Sequence, residues 1–320
     1  MEQGPWVRYD GPTMAGIAPG SQGSDRGHVD GLLERLMGES VFLRKNATSF
    51  LETGTLRIHY LHAGAGKPLI LIHGGGMWLY SFRYNIPALC GAFSVYALDM
   101  PGYGFSSMHG NHASMKIDTM RGALWAFMDG LGIERASILG HSWGGGWALD
   151  FALAHPQRVD RIVLIDSGGL DANDVPEWEI LKLPFIGRFL LGLLTPGMIR
   201  RRLERSFFRT GCVDDAMVRE VRLPFRLPAN RRAQANVARG LSWKETEQGL
   251  GEITHPVLLI WGDRDKYLDV SLSGRFKARI RDIQVEIIED CGHSAHEEQP
   301  ETVNRLVSEF LEKNQNPSGR

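Results

Sequence analysis

The 320-residue chain is short of cysteine, of long apolar runs and of any charge bias. Its three cysteines, Cys90, Cys212 and Cys291, are scattered and odd in number. They make neither a disulfide framework nor a CxxC metal pair, which fits a reducing compartment. Lys and Arg number 36 against 37 Asp and Glu, a formal net charge of −1. That balance offers no whole-protein case for a nucleic-acid partner. No stretch is apolar and long enough to span a bilayer; the nearest, residues 181–195, is broken by Lys182, Pro184 and Arg188. The start of the chain lacks the basic segment and apolar core of a secretory signal, so a cytoplasmic protein is expected. GxxxxGK[ST] is absent, and no His/Cys/Asp cluster has metal-ligand spacing. Neither a metal nor another cofactor is therefore expected. Oligomeric state leaves no mark in the sequence.

What is present is an ordinary globular balance, 43% apolar and 23% charged, which excludes a disordered or fibrous chain. Residues 1–28 are rich in Gly, Pro, Ser and Asp and read as a disordered or loosely docked tail. Residues 29–45 carry Leu32, Leu33, Leu36 and Met37 at helical spacing and predict a short amphipathic helix. Together, 1–48 form an amino-terminal extension. From residue 49 the pattern becomes stranded. Residues 49–52 and 56–62 flank Thr53-Gly54-Thr55 as a hairpin. Short apolar runs at 68–72, 94–98, 136–139, 161–165, 257–261 and 284–288 then alternate with helical patterns at 119–131, 143–154, 271–280 and 301–311. Near-continuous apolar strands suit a sheet buried on both faces, and the alternation predicts an α/β fold with a mainly parallel sheet. The core is assigned to 49–167 and 246–314. Residues 168–245 show no clear core strand, are punctuated by prolines and are too long for a bare loop. They read as a helical cap.

The chemistry gathers at strand ends. Gly140-His141-Ser142-Trp143-Gly144 matches G-x-S-x-G between an apolar strand and a helical pattern. A sharp turn there lifts a serine hydroxyl above the sheet. A serine needs a base within hydrogen-bond reach and an acid to orient that base. Candidates follow in the order that strand–turn–helix serine enzymes use. Asp263 and Asp265 lie after the strand 257–261, His293 and His296 after the strand 284–288. Asp166, at the preceding strand end, is an alternative acid. After the strand 68–72 comes His73-Gly74-Gly75-Gly76, whose backbone can aim N–H groups at a developing oxyanion, with Trp143 N–H as the second donor. His73 and His141 beside the site read as packing and hydrogen-bonding residues, and His59 and His62 as ordinary strand residues.

Taken together, HGGG at 73–76, DMPGYGFS at 99–106, GHSWGG at 140–145, WGDRD at 261–265 and CGH at 291–293 resemble the α/β-hydrolase superfamily across roughly residues 50–312. The resemblance implies a mostly parallel eight-stranded sheet flanked by helices, with the helical cap inserted after the sixth strand. It implies Ser142 as nucleophile, His293 as base and Asp265 as acid. It places the oxyanion hole at the N–H groups of Gly75 and Trp143, with Gly76 the alternative to Gly75. Asp99 and Ser106 are implied to be structural. Relatives that use Asp in place of Ser142, haloalkane dehalogenases and most epoxide hydrolases, are not matched in chemistry. The expected substrate is a small-molecule ester or related acyl compound with an apolar body. The chain also resembles meta-cleavage C–C hydrolases in HGGG, cap position and spacing. It departs from them at GHSWGG and at Ser294. GxSWGG resembles proline iminopeptidases too, which need acidic groups for a substrate amine, whereas this cap is basic. A lyase or oxygenase using the His–Asp pair, or a non-catalytic binding protein on the same fold, are further alternatives.

The cap is basic. Residues 180–245 hold 14 Lys and Arg against 5 Asp and Glu. Arg200-Arg201-Arg202 and Arg231-Arg232 read as a solvated face, as a grip on a substrate carboxylate, or as part of a basic, apolar cap that docks on an anionic membrane surface. Its apolar residues Trp178, Leu181, Leu183, Phe185, Ile186, Phe189, Leu190, Leu193, Leu194, Phe207 and Phe208 read as helix-to-helix packing, or in part as the wall of a pocket over Ser142.

Overall fold

The computed structural model describes residues 24–108, 115–172 and 191–313. Among these residues nine strands form one sheet: β1 (Ser49–Thr53), β2 (Leu56–Ala63), β3 (Lys67–Ile72), β4 (Phe93–Leu98), β5 (Ser107–Met108), β6 (Ala136–His141), β7 (Val159–Ile165), β8 (Val257–Gly262) and β9 (Ile283–Ile288). Their order is β1-β2-β4-β3-β6-β7-β8-β9, with β5 beside β2. β1 and β5 pair with β2, and β2 with β4, in antiparallel fashion; every other pairing is parallel.

The ninth strand corrects the expected eight. Ser107–Met108 has no apolar run to announce it. It pairs with Arg57 and Leu56 because the turn over 99–106 delivers it there. Counting β5, the helical insertion follows the seventh strand; without it, the sixth.

Helices that pack on the sheet or on the insertion include α1 (Ser24–Glu39), α2 (Val41–Lys45), α3 (Ile117–Gly130), α4 (Trp143–Ala154), α5 (Pro196–Ser206), α6 (Asp215–Arg222), α7 (Pro228–Gly240), α8 (Leu272–Arg279) and α9 (Pro300–Glu312). Successive strand residues point to opposite faces. In β3, Leu69 and Leu71 join a core with Leu36 of α1, Leu203 of α5 and Val303 of α9. Ile70 and Ile72 join the other core, with Phe127 of α3, Phe151 of α4 and Phe276 of α8. That is why residues 69–72 of β3, 162–165 of β7 and 257–261 of β8 are unbroken apolar runs. β9 is an edge strand and is only half-buried, with Ile287 exposed.

The amino-terminal reading also needs correction. Helix begins at Ser24, inside the stretch expected to be a tail; residues 1–23 lie outside the described residues. The single helix expected over 29–45 is broken at Ser40. That residue takes extended backbone, and its hydroxyl caps α2 by accepting from Leu43 N–H at 3.0 Å. The buried Glu220 carboxylate of α6 accepts from Ser40 Oγ at 2.6 Å, Val41 N–H at 2.7 Å and Phe42 N–H at 3.1 Å. The extension is thus fastened to the helical insertion. Of the apolar residues assigned to the cap, Trp178, Leu181, Leu183, Phe185, Ile186, Phe189 and Leu190 lie outside the described residues. Phe207 is buried, while Leu193 and Phe208 are exposed.

Candidate active site

β6 ends at His141 and α4 begins at Trp143, leaving Ser142 to make the whole turn. Its φ of 51° is a strained value for a residue with a Cβ. Four backbone bonds hold it there. Ser142 N–H donates to Ile165 O at 2.9 Å, and Ser142 O accepts from Gly145, Gly146 and Gly168 N–H at 2.9, 3.4 and 2.8 Å. The turn also demands bare neighbours. A methyl on Gly144 would lie 2.2 Å from Ile72 O, and one on Gly140 2.4 Å from Gly144 O.

The Ser142 hydroxyl lies 3.0 Å from His293 Nε2. His293 Nδ1 lies 2.7 Å from Asp265 Oδ2. A proton on Nδ1 donated to that carboxylate leaves Nε2 free to accept from the hydroxyl. The other oxygen of Asp265 accepts from Tyr267 and Leu268 N–H at 2.7 and 3.0 Å, so the acid is itself aimed. The other candidates stand elsewhere. Asp263 accepts from Cys291 N–H at 3.4 Å and pairs with Arg264. Asp166, with a φ of 44°, accepts from Gly262 N–H at 2.8 Å and Ala295 N–H at 3.2 Å. It braces the loops that carry Asp265 and His293; burial and the neighbouring Asp265 push its pKa well up. His296 is wholly buried between the rings of His141 and Phe82.

The HGGG loop leans on the same turn. A Cβ on Gly74 would meet the His141 ring and Ser142 Cβ, and one on Gly75 the Trp143 ring. His73 donates from Nδ1 to Gly74 O at 2.8 Å and accepts from Met100 N–H at Nε2, 3.1 Å. A narrow cavity of about 40 Å³ opens over Ser142. Met77, Trp143, Leu203 and Leu268 give it apolar surface, and Arg202, Tyr267 and His293 polar edges.

Several contributors were not separable in the sequence. His59, read as an ordinary strand residue, is fully buried with Nδ1 2.7 Å from Asp99 Oδ2. Asp99 also accepts from Leu79 and Phe105 N–H, each at 2.8 Å. It shapes the turn after β4. The signal was available in DMPGYGFS, but nothing local paired it with His59. His141 donates from Nε2 to His293 O at 2.8 Å and so holds the base from behind. Burial and the neighbouring His296 and His293 keep its pKa well below the usual imidazole value. Arg202 reaches the site from α5, while Arg201 and Arg232 are exposed and Arg200 pairs with Asp215 at 2.6 Å.

Among the described residues no group of His, Cys, Asp and Glu is arranged to hold a metal ion, and no helix is long and apolar enough to cross a membrane. A family model described as alpha/beta hydrolase fold matches residues 67–193 and 204–300. The chain is 30% identical over 272 residues to the 2-hydroxy-6-oxo-6-phenylhexa-2,4-dienoate hydrolase of Comamonas testosteroni, covering 79% of this chain and 91% of that protein. A solved variant of a meta-cleavage product hydrolase superposes with a TM-score of 0.72 at 27% identity, over 83% of this chain and 98% of that one. A solved membrane phospholipase A, described as a bacterial virulence factor, does so with a TM-score of 0.73 at 28% identity, over 90% and 93%.

Proposed function

The chain belongs to the alpha/beta hydrolase family, and within it we propose a serine hydrolase that cleaves a carboxylic ester or related acyl bond of a largely apolar small molecule. One observation carries the reading: Ser142 Oγ, His293 and Asp265 form a continuous chain of contacts at 3.0 and 2.7 Å. In this reading His293 takes the Ser142 proton as Oγ adds to the substrate carbonyl carbon. The carbonyl oxygen becomes an oxyanion held by the N–H groups of Gly75 (or Gly76) and Trp143. The carbonyl re-forms, the leaving group takes the proton from His293, and an acyl-serine remains. His293 then deprotonates a water that releases the acid. Asp265 keeps the His293 proton on Nδ1 and stabilises the cation that forms. The apolar wall of Met77, Leu203 and Leu268 supports an apolar acyl or leaving group.

A second reading keeps the triad and cuts a carbon–carbon bond beside a ketone of a dienoate acid. The likeness to the Comamonas enzyme along most of its length favours it.

Ser142→Ala is expected to lose on the order of 10⁶-fold in turnover. A fluorophosphonate should label Ser142 in the wild type, as read by peptide mapping. A tag on another residue, or wild-type turnover in the variant, refutes the assignment. A panel of p-nitrophenyl esters of varied chain length set against a dienoate ketone then separates the two readings.

A further inference from the structure

The HGGG loop poses a physical problem. Consecutive glycines have little backbone preference of their own. Donors that stabilise an oxyanion must nevertheless be aimed before the charge develops. Something outside the loop has to hold it. Gly74 and Gly75 lean on the side chains of His141 and Trp143. Gly76, with a φ of 69°, faces a different support: a Cβ built there would lie 2.3 Å from both terminal nitrogens of Arg202.

Arg202 sits on α5, in the insertion between β7 and β8. Its Nη2 donates to Gly75 O at 2.7 Å. Its backbone carbonyl accepts from the Tyr267 hydroxyl at 3.2 Å. Tyr267 N–H in turn donates to Asp265 at 2.7 Å. One residue of the insertion therefore touches both the glycine loop and the loop of the acid.

We infer that Arg202 is a positioning residue of the oxyanion hole: its guanidinium fixes and polarises the Gly75–Gly76 peptide from the insertion side. This rests on the serine-hydrolase reading above. The peptide unit is planar, so fixing the Gly75 carbonyl also fixes the Gly76 N–H. The donor it fixes directly is thus Gly76 N–H, since Gly75 N–H belongs to the preceding peptide. A charged donor on the carbonyl draws electron density toward oxygen and makes the opposite N–H a stronger donor. The bare α-carbon of Gly76 is what admits the guanidinium to this position. A role in orientation differs from a grip on a substrate carboxylate, which is the reading the arginine run suggested. It acts on every substrate alike, because it acts on the protein's own backbone.

The two roles separate in a kinetic split. Arg202→Met keeps length and packing but removes the donor; Arg202→Lys keeps one charged donor. With neutral and carboxylate-bearing p-nitrophenyl esters, Arg202→Met is expected to lower kcat about 10- to 100-fold for both. KM should stay within about threefold, because binding of the ground state does not use the aimed donors. The rate of Ser142 labelling by a fluorophosphonate should fall in parallel, and Arg202→Lys should recover part of both. Unchanged kcat in Arg202→Met overturns the inference. So does a loss confined to KM of the anionic esters, which assigns Arg202 to substrate binding. Should Arg202→Met fail to fold, Arg202→Lys and Arg202→Gln carry the same comparison, with Gln keeping an uncharged donor and expected to fall below Lys in kcat. Equal kcat in those two overturns polarisation by charge. A wild type that neither turns over esters nor labels at Ser142 overturns the serine-hydrolase reading, and the Arg202 role with it. Labelling of Ser142 with no Arg202 effect leaves that reading standing and removes only the inference.

Discussion

A single hydrogen atom on an α-carbon decides whether the nucleophile turn can exist. Gly144 packs against the end of β3, where an added methyl would sit 2.2 Å from Ile72 O and 2.6 Å from His73 O. Both are backbone atoms in a strand and its following loop, so neither can swing aside. Gly144→Ala should therefore destabilise the fold by about 3 kcal/mol, the upper range for overpacking, and abolish turnover with it. Chemical denaturation monitored by tryptophan fluorescence checks the first and ester turnover the second. Residues of this kind were legible beforehand because a motif fixes them by spacing. Asp263 and Asp265, like His293 and His296, were legible as residues just beyond strand ends; the choice of Asp265 came from the family resemblance, and Asp265 and His293 are the ones in line with Ser142. Arg202 was not, because in Arg200-Arg201-Arg202 sequence alone does not say which of three adjacent arginines turns inward. The helix phase of α5 decides it, and that phase is set by Ile199 and Leu203 facing the core.

Between elements, the most specific contact is the one between α6 and the start of α2. Glu220 satisfies a hydroxyl and two backbone N–H groups there, and the exposed Glu39–Arg226 pair adds a second tie between the same regions. Phe42 packs edge-on against Trp78 and Tyr80, ring centroids 5.9 and 5.4 Å apart, so the anchored segment also covers apolar surface. Glu220→Ala would leave buried polar groups without partners. It should cost about 2–3 kcal/mol, from the penalty for unsatisfied groups. It should also speed tryptic cutting at Arg44 and Lys45, with limited proteolysis read by mass as the check. Nothing in the sequence announced this contact, because its partners lie 178 to 180 positions apart and neither belongs to a recognisable motif. The alternation of strand and helix was readable for the opposite reason. The middle strands carry unbroken apolar runs, such as residues 69–72, 162–165 and 257–261, and the helical stretches between them carry their own period. β5 was missed because two residues cannot show a period at all.

Across the whole molecule, several ionisable groups are held neutral by burial. His73 and His141 have depressed pKa values, and His296, beside Arg83, is pushed down to about 3. A histidine whose folded pKa lies below its unfolded value of about 6.5 contributes fully above that pH. The contribution then drains away as pH falls toward the folded value. Asp150 works the other way. Burial raises its pKa to about 6, so its contribution is complete below the ordinary carboxylate value near 3.8 and is lost as pH rises through 6. The difference between variants isolates one group from the rest. The thermal midpoint of His296→Gln should fall less than that of the wild type between pH 6.5 and 4, in scans followed by circular dichroism. An equal fall would mean that His296 is hydrated rather than held neutral.

The Ser142–His293 contact joins positions 151 residues apart, and the Arg202–Gly75 contact joins positions 127 apart. Each crosses several parallel strands that pair only after long excursions of the chain, the slow kind of pairing to establish. A nascent polypeptide still lacking β9 therefore has the Ser142 hydroxyl without His293, and on the serine-hydrolase reading it is not yet competent. Turnover is then a readout of complete assembly: during refolding it should emerge last, after the spectroscopic signals of strand and helix have already returned.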